Sequence, residues 1–140
     1  MTFSHLLDTN ALSEPLRPIP DPRLLDFLDR KRGCLATASP VWQELQYGCH
    51  RLPLSERRNK IELYLAGQVL PKIPILPYDA AAAAWFGRER ARLSLLGKTP
   101  PLLDGQIAAV AATNDLILVT RNEADFAGFE GLTVENWRRP

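Results

Sequence analysis

The sequence lacks the features that most directly mark an extracellular or membrane-bound protein. Its 140 residues include two cysteines, Cys34 and Cys49, without CxxC spacing or a histidine cluster, so neither a disulfide framework nor a zinc site is predicted. No stretch approaches 18 consecutive apolar residues, which argues against a membrane span. The first ten residues, MTFSHLLDTN, carry neither a basic segment nor a long apolar one. We therefore expect no signal peptide and a cytoplasmic protein.

An excess of charge and the common nucleotide motifs are also absent. Seventeen Lys and Arg residues face sixteen Asp and Glu residues, which leaves a net charge of +1 and does not identify a partner. The patterns GxxxxGK[ST], GxGxxG and GxSxG do not occur, which disfavours a P-loop, a dinucleotide site and a serine-hydrolase elbow. Function must therefore be inferred from local groups of residues.

Short apolar runs alternate with helical patterns along the chain. We expect one domain over 1–140, because nothing repeats and no low-complexity linker divides the sequence. The predicted strands are 3–7, 34–38, 73–78, 116–120 and 132–135, and the predicted helices are 22–32, 39–52, 56–69, 80–97 and 102–114. This alternation predicts an α/β fold, with a short, mostly parallel sheet of about five strands and helices on both faces.

Four acids stand at strand ends or on apolar helix faces. Asp8 ends the first strand, Glu44 shares a helical face with Val41, Asp104 lies in an apolar helix, and Asp125 follows the last clear strand. The carboxyl ends of parallel strands share one edge of the sheet, where α/β folds bind ligands. We therefore expect these acids to converge there.

Clustered acids in apolar surroundings predict a cation. An unpaired buried carboxylate costs several kcal/mol, and neighbouring carboxylates repel each other. Oxygen ligands without His or Cys favour Mg²⁺ or Mn²⁺, and such an ion suits phosphoryl chemistry because it activates a water and stabilises charge on phosphate oxygens. Thr9, Asn10 and Thr120 are nearby polar groups expected to support the carboxylates or the waters around the ion.

Each acid also has an ordinary structural interpretation. Asp8 could cap the following turn, Asp104 could be a helix N-cap, Asp125 could pair with Arg121, and Glu44 could be a solvated helix residue. Taken singly, these interpretations are at least as good as the metal hypothesis. The joint placement of the four acids is what favours the metal site.

Four segments in order resemble the PIN-domain family. They are LLDTNALSE (Leu6–Glu14), VWQELQYG (Val41–Gly48), LLDGQIAAVA (Leu102–Ala111) and LVTRNEADF (Leu118–Phe126). Within that family the chain resembles the VapC- and FitB-type toxins of toxin–antitoxin pairs. Each segment alone is a weak signal, but their order and separation make the resemblance specific, and it spans essentially the whole chain.

The resemblance implies a Mg²⁺- or Mn²⁺-dependent endoribonuclease with Asp8, Glu44, Asp104 and Asp125 as its acidic set. It also implies a homodimer inhibited by a cognate antitoxin whose C-terminal segment occupies the site. The chain departs from many relatives by having Asn122 two residues after the threonine of the last motif. The resemblance therefore gives the fourth acidic position to Asp125, and Asn122 the role of orienting a water or a neighbouring acid.

Three alternatives compete with a nuclease. A phosphate-accepting receiver domain has a similar size and sheet, but this chain offers Asp79 as the acceptor and only Arg138 and Arg139 in place of the required lysine. A haloacid-dehalogenase-type phosphatase requires an acid where Asn10 stands. A PIN-like module that binds RNA or a protein without cleaving is the main alternative. Five arginines are candidates to contact RNA: Arg17, Arg88, Arg90, Arg92 and Arg121.

Overall fold

A five-stranded parallel sheet lies at the centre of residues 2–137, the part of the chain that the computed structural model describes. Arg138 and Arg139 lie outside the described residues. The strands are β1 (His5–Leu7), β2 (Leu35–Ala38), β3 (Ile75–Leu76), β4 (Ile117–Val119) and β5 (Val134–Glu135). Their order is β3-β2-β1-β4-β5, and each neighbouring pair is parallel. The predicted sheet is confirmed, with each strand shorter than its apolar run.

Within residues 2–137, seven α-helices surround this sheet. They are α1 (Thr9–Ser13), α2 (Pro22–Arg30), α3 (Ser39–His50), α4 (Glu56–Tyr64), α5 (Ala80–Leu95), α6 (Leu102–Thr113) and α7 (Glu123–Phe126). A 3₁₀ turn over Glu14–Leu16 follows α1, and a π-helical turn over Leu65–Val69 continues α4. The side chain of Asp21 caps α2 ahead of Pro22, and that of Asp79 caps α5, because each accepts a hydrogen bond from a first-turn amide.

The centre of the sheet is fully buried. Leu6 and Leu7 of β1 and Leu118 of β4 have no exposed surface, and residues 107–111 of α6 are all buried. A parallel sheet covered by helices requires such uninterrupted apolar runs. In the alanine-rich start of α5, Ala82 alone packs inside the protein, while the other alanines of 80–84 are exposed.

The chain reverses its direction across the sheet between β1 and β4. From β1 it proceeds outward to β2 and β3, then returns to the other side of β1 to form β4 and β5. Because crossovers between parallel strands are right-handed, the two directions place helices on opposite faces. Such a switch point leaves a crevice at the carboxyl ends of the two central strands. Asp8 directly follows β1 and Thr120 directly follows β4.

The short helices α1 and α7 lie outside the sequence predictions. Each has five residues or fewer, too few for a helical period to appear in the sequence. The helix α1 comes after β1, and α7 comes after the turn that follows β4. These helices therefore set the direction in which the chain leaves the sheet beside the site. Among residues 2–137, no helix has the length and apolarity needed to cross a membrane.

Candidate active site

Asp8 occupies the floor of the crevice. Its side chain is 5% exposed, and Oδ1 accepts a hydrogen bond of 2.8 Å from the amide of Ala11, which makes Asp8 the N-cap of α1. Burial raises the pKa of Asp8, while the Thr120 hydroxyl, the Ala11 amide and the charge of Arg121 offset part of that increase. The interpretation of Asp8 as a cap is confirmed, and the residue also faces the other acids.

Glu44 projects from the middle of α3 toward the same crevice. Burial raises its pKa first, followed by repulsion from Asp104 and Asp8. The Thr9 hydroxyl lowers that pKa in part, although neither Thr9 Oγ1 nor Glu44 Oε2 has a hydrogen-bond partner of good geometry. Glu44 is therefore not an ordinary solvated helix residue.

Asp104 lies in the first turn of α6. The helix is preceded by Pro101 at the N-cap position, so the interpretation of Asp104 as the cap is wrong. Burial raises the pKa of Asp104, and the charges of Asp125 and Asp8 raise it further. The carboxylate is half-buried and faces like charges.

Asp125 stands at the open rim, on the exposed side of α7. Its backbone amide donates a 3.0 Å hydrogen bond to the carbonyl of Asn122, and its charge acts on Asp104. Within residues 2–137, Asp125 forms no ion pair with Arg121, contrary to the alternative interpretation. The four acids thus belong to one electrostatic group, whose links run from Glu44 through Asp8 and Asp104 to Asp125.

The donor set fits a hard cation. Of the buried side-chain polar atoms in the described residues, two lack a hydrogen-bond partner, and they are Thr9 Oγ1 and Glu44 Oε2 in this crevice. Buried polar atoms of this kind require a partner, and unpaired oxygens among repelling carboxylates suit Mg²⁺ or Mn²⁺. Within residues 2–137 no three Asp, Glu, His or Cys side chains are placed as the ligand set of a metal ion. A cation would therefore have to draw these carboxylates closer together.

The supporting polar residues lie beside Asp8. Thr120 is buried, and its Oγ1 accepts a 3.0 Å hydrogen bond from the amide of Asn122, which fixes the turn after β4. Asn10 lines a cavity of about 10 Å³, the size of a single water, together with Thr120 and Arg121. Asn122 occupies the N-cap position of α7, and its side chain makes no capping hydrogen bond there. Its proposed role in orienting a water or an acid stays a prediction.

Sequence reasoning did not single out two buried acids outside this group. Glu14 is 1% exposed, and its Oε2 accepts a 3.1 Å hydrogen bond from the amide of Asp21. Glu89 is 9% exposed and binds Arg92 through both carboxylate oxygens. Glu89 and Arg92 are three residues apart on one helix, a spacing that brings opposite charges together, and this is the sequence signal for their ion pair.

The candidate arginines differ in their surroundings. Arg17 lies 3.6 Å from Glu14, and Arg92 binds Glu89, so both charges serve internal pairs. Arg121 is exposed and acts on Asp8, which keeps it available beside the site. An open groove of about 410 Å³ extends from Asp125, and its lining includes one cation, Lys98.

Known proteins share both the sequence pattern and the fold. The family model "PIN domain" matches residues 5–131. The chain belongs to the PIN-domain family. It is 33% identical to "Toxin FitB" of Neisseria gonorrhoeae over 94% of this chain and 97% of that protein. It is 31% identical to "VapC ribonuclease Y4jK" of Sinorhizobium fredii, over 94% of this chain and 95% of the relative.

The similarity extends to the folds of solved structures. The crystal structure of FitAcB from Neisseria gonorrhoeae has a TM-score of 0.83 to this PIN domain at 32% identity, covering 97% of each chain. Within the family, the chain therefore groups with the VapC- and FitB-type toxins, as its sequence predicts. The PIN domain here carries its four acids at the switch point of the sheet.

Proposed function

We propose that this PIN domain is the toxin of a toxin–antitoxin pair and acts as a Mg²⁺- or Mn²⁺-dependent endoribonuclease. The observation that carries the proposal is the electrostatic linkage of Glu44, Asp8, Asp104 and Asp125, together with the unpartnered oxygens of Glu44 and Thr9. Burial raises the pKa values of Asp8, Glu44 and Asp104, and the charges of neighbouring acids raise those of Glu44 and Asp104 further, so a cation would relieve an existing instability. Similarity to a VapC ribonuclease and a FitB toxin supports the same assignment.

Asp8, Glu44, Asp104 and Asp125 would hold the ion. When bound, Mg²⁺ would act as a Lewis acid. It would favour attack of water on a phosphodiester and stabilise charge on the phosphate oxygens. The chain itself keeps Asp8 in place through the Ala11 amide and the Thr120 hydroxyl. Arg121 lies on the exposed side of Asp8, where it is suited to contact an RNA phosphate.

The groove beside Asp125 offers a path for an RNA strand. It combines an apolar floor, which includes Phe129, with the cation of Lys98 at its rim. A strand that leaves the acidic centre past Asp125 would run along the groove that Lys98 lines. Because the acids lie in a crevice, the scissile phosphate can enter only from a single strand or a loop.

We also propose that a cognate antitoxin inhibits this site and that the toxin is a homodimer. The similarity to FitB toxin supports the first statement. A dimer interface would cover some of the exposed apolar side chains of the described residues, among them Leu63 and Leu95, which are 74% and 89% exposed. Light scattering of the purified chain, alone and with its antitoxin, tests both statements.

A PIN-like module that binds RNA or protein without cleaving is the second candidate. The presence of all four acids disfavours it, because a binding module has no need for repelling carboxylates in one crevice. The two functions differ in one requirement. Binding alone does not need a divalent cation at Asp104, whereas cleavage does.

Cleavage of total cellular RNA with end mapping tests the proposed function. The protein is purified free of its partner and compared with Asp104→Asn, in Mg²⁺ or Mn²⁺ and in EDTA. Discrete cuts that require both the metal and Asp104 are expected. Cuts that persist in EDTA or in Asp104→Asn would contradict the proposal, and RNA binding without cleavage would favour the binding module.

A further inference from the structure

A partly buried ion pair connects α5 to the segment that follows Asp125. Glu89 accepts hydrogen bonds of 3.0 and 2.9 Å from Nε and Nη2 of Arg92. The same carboxylate accepts a 2.7 Å hydrogen bond from the backbone amide of Glu130, and Arg92 Nη2 donates a 2.7 Å bond to the carbonyl of Gly128. Glu89 and Arg92 therefore form a clamp on the backbone of 128–130, and we refer to this pair as the clamp.

Aromatic packing ties the same segment to α6. Phe86, one turn before Glu89 on α5, contacts Phe129 with ring centroids 6.3 Å apart, and Phe129 in turn contacts Phe126 at 6.5 Å. On its other side Phe86 covers Gly105, where an added Cβ would lie 2.0 Å from the ring. Because Gly105 adjoins Asp104 and Phe126 adjoins Asp125, one face of α5 contacts both segments that carry these acids.

Asp125 needs such support from outside its own helix. The helix α7 has only four residues, and an isolated helix of that length does not hold its own conformation. Asp125 itself is exposed, so packing does not fix it directly. The segment behind it is held instead by the clamp and by the buried rings of Phe126 and Phe129.

We propose that Glu89 and Arg92 are positioning residues, which hold the segment 126–130 and thereby keep Asp125 beside Asp104. The proposal rests on the proposed metal site, because the benefit of this placement is a better-held cation. Neither residue would touch the metal or RNA. Glu89 and Arg92 would affect metal binding only through the position of Asp125. A residue that merely stabilises the fold would affect metal binding whether or not Asp125 is present.

A double-mutant cycle on Mn²⁺ affinity tests whether the effect of Glu89 and Arg92 depends on Asp125. Glu89→Gln removes the charge but keeps the shape, and Arg92→Lys keeps the charge but loses the forked contact. Each is measured by calorimetry in the full chain and again in an Asp125→Asn background. Arg57→Lys, an exposed change on α4, is the matched control. Amide hydrogen exchange of 123–130 is recorded on the same proteins, so the readout does not depend on nuclease activity.

Glu89→Gln should weaken Mn²⁺ binding about tenfold, because Asp125 would be held less firmly, and Arg92→Lys should weaken it by a smaller factor. Both should speed exchange within 123–130 while leaving β1 and β4 protected. In the Asp125→Asn background neither change should weaken Mn²⁺ binding further, since the two substitutions remove the same contribution. Arg57→Lys should behave as wild type.

Equal losses of Mn²⁺ affinity in both backgrounds, or unchanged exchange in 123–130, would overturn the positioning role. Absence of Mn²⁺ binding by the wild type would overturn it together with the metal site. Mn²⁺ binding that follows the expected cycle in a protein that cuts no RNA would support the clamp and contradict only the nuclease.

Discussion

Two groups of buried or half-buried carboxylates in this PIN domain meet opposite conditions. Burial raises the pKa values of Asp8, Glu44 and Asp104, and like charges raise those of Glu44 and Asp104 further. Glu89 faces Arg92 and a backbone amide, and the hydrogen bonds from Arg92 are the main reason that its pKa is lowered. The same kind of side chain is thus unsatisfied in one region and fully paired in the other.

The difference indicates which acids are available for chemistry. A carboxylate with an internal cation stabilises the fold, and removing it leaves its partners without their contacts. Carboxylates that repel one another destabilise the fold until something neutralises them. Replacing an acid should therefore have opposite effects on stability in the two regions.

The largest expected effect is on activity. Asp104→Asn should lower the rate of RNA cleavage about 10³-fold, because losing several kcal/mol of metal-assisted stabilisation corresponds to that factor. The unfolding free energy of the metal-free protein should stay the same or rise. Glu89→Gln is the contrasting variant, and it should lower that free energy by about 1–3 kcal/mol. Urea titrations without metal check both values, and a less stable Asp104→Asn protein would contradict the claim that Asp104 destabilises the metal-free fold.

Metal binding should show the next largest effect. Mn²⁺ at a hundredfold excess over its Kd should raise the unfolding free energy by about 2.7 kcal/mol, since it binds the folded state preferentially. Thermal denaturation in Mn²⁺ and in EDTA measures this change. The increase should disappear in Asp104→Asn. An equal increase in that variant would place the stabilising ion somewhere other than among these acids.

A methyl group at Gly105 should disturb the packing between the two regions. Gly105→Ala should destabilise the protein by about 1–3 kcal/mol, because the added Cβ would overlap the ring of Phe86. Phe86→Leu in the same chain should restore part of the loss by making room. Chemical denaturation of both single variants and the double variant measures the coupling, and purely additive losses would argue against the contact.

The contributions of Asp104 and Glu89 to the unfolding free energy should change in opposite directions with pH. The folded pKa of Asp104 lies above its ordinary value of 3.8, so wild-type apo-protein loses stability relative to Asp104→Asn as pH rises from that value. The folded pKa of Glu89 lies below its ordinary value of 4.5, so its contribution is present above pH 4.5 and is lost as pH falls through the folded pKa.

Each unit of pKa shift contributes about 1.4 kcal/mol to these differences. Denaturant titrations of wild type, Asp104→Asn and Glu89→Gln between pH 3 and 7 should show two curves that diverge in opposite directions as pH rises. Curves that move the same way would contradict the assignment of paired and unpaired acids.

The smallest expected effect concerns Lys98, which lies in the groove between the two regions. In an Asp104→Asn background, Lys98→Ala should weaken RNA binding a few-fold and reduce the slope of log affinity against log salt by about one. Lys60→Ala on α4 removes the same charge outside the groove and should leave that slope unchanged. If Lys98→Ala left the slope unchanged, RNA binding along the groove would be contradicted.

Much of the region around Asp8, Glu44 and Asp104 could be predicted from the sequence, whereas the backbone contacts of Glu89 and Arg92 could not. Asp8 and Asp104 stand out because polar residues interrupt apolar runs at positions that the sheet brings to one edge. Glu89 and Arg92 resemble an ordinary helix-surface pair. Their partners at 128–130 lie about forty residues away, and no periodicity in the sequence connects them.

The position of Asp125 depends on similarly distant contacts. The sequence places it after β4, as the structure does, but α7 is too short to produce a helical pattern. Phe126 and Phe129 could be recognised as apolar without indicating that they pack on α5. The assignment of Mg²⁺ or Mn²⁺ to these acids stays a prediction.

Anomalous diffraction from a crystal soaked in Mn²⁺ shows whether the four acids bind a metal. We expect a manganese peak within coordination distance of carboxylate oxygens of Asp8 and Asp104, with Glu44 or Asp125 bound to the ion directly or through water. No manganese is expected at Glu89. Absence of a peak among the four acids, in a protein shown to be folded and free of its partner, would contradict the claim that their mutual repulsion marks a metal centre.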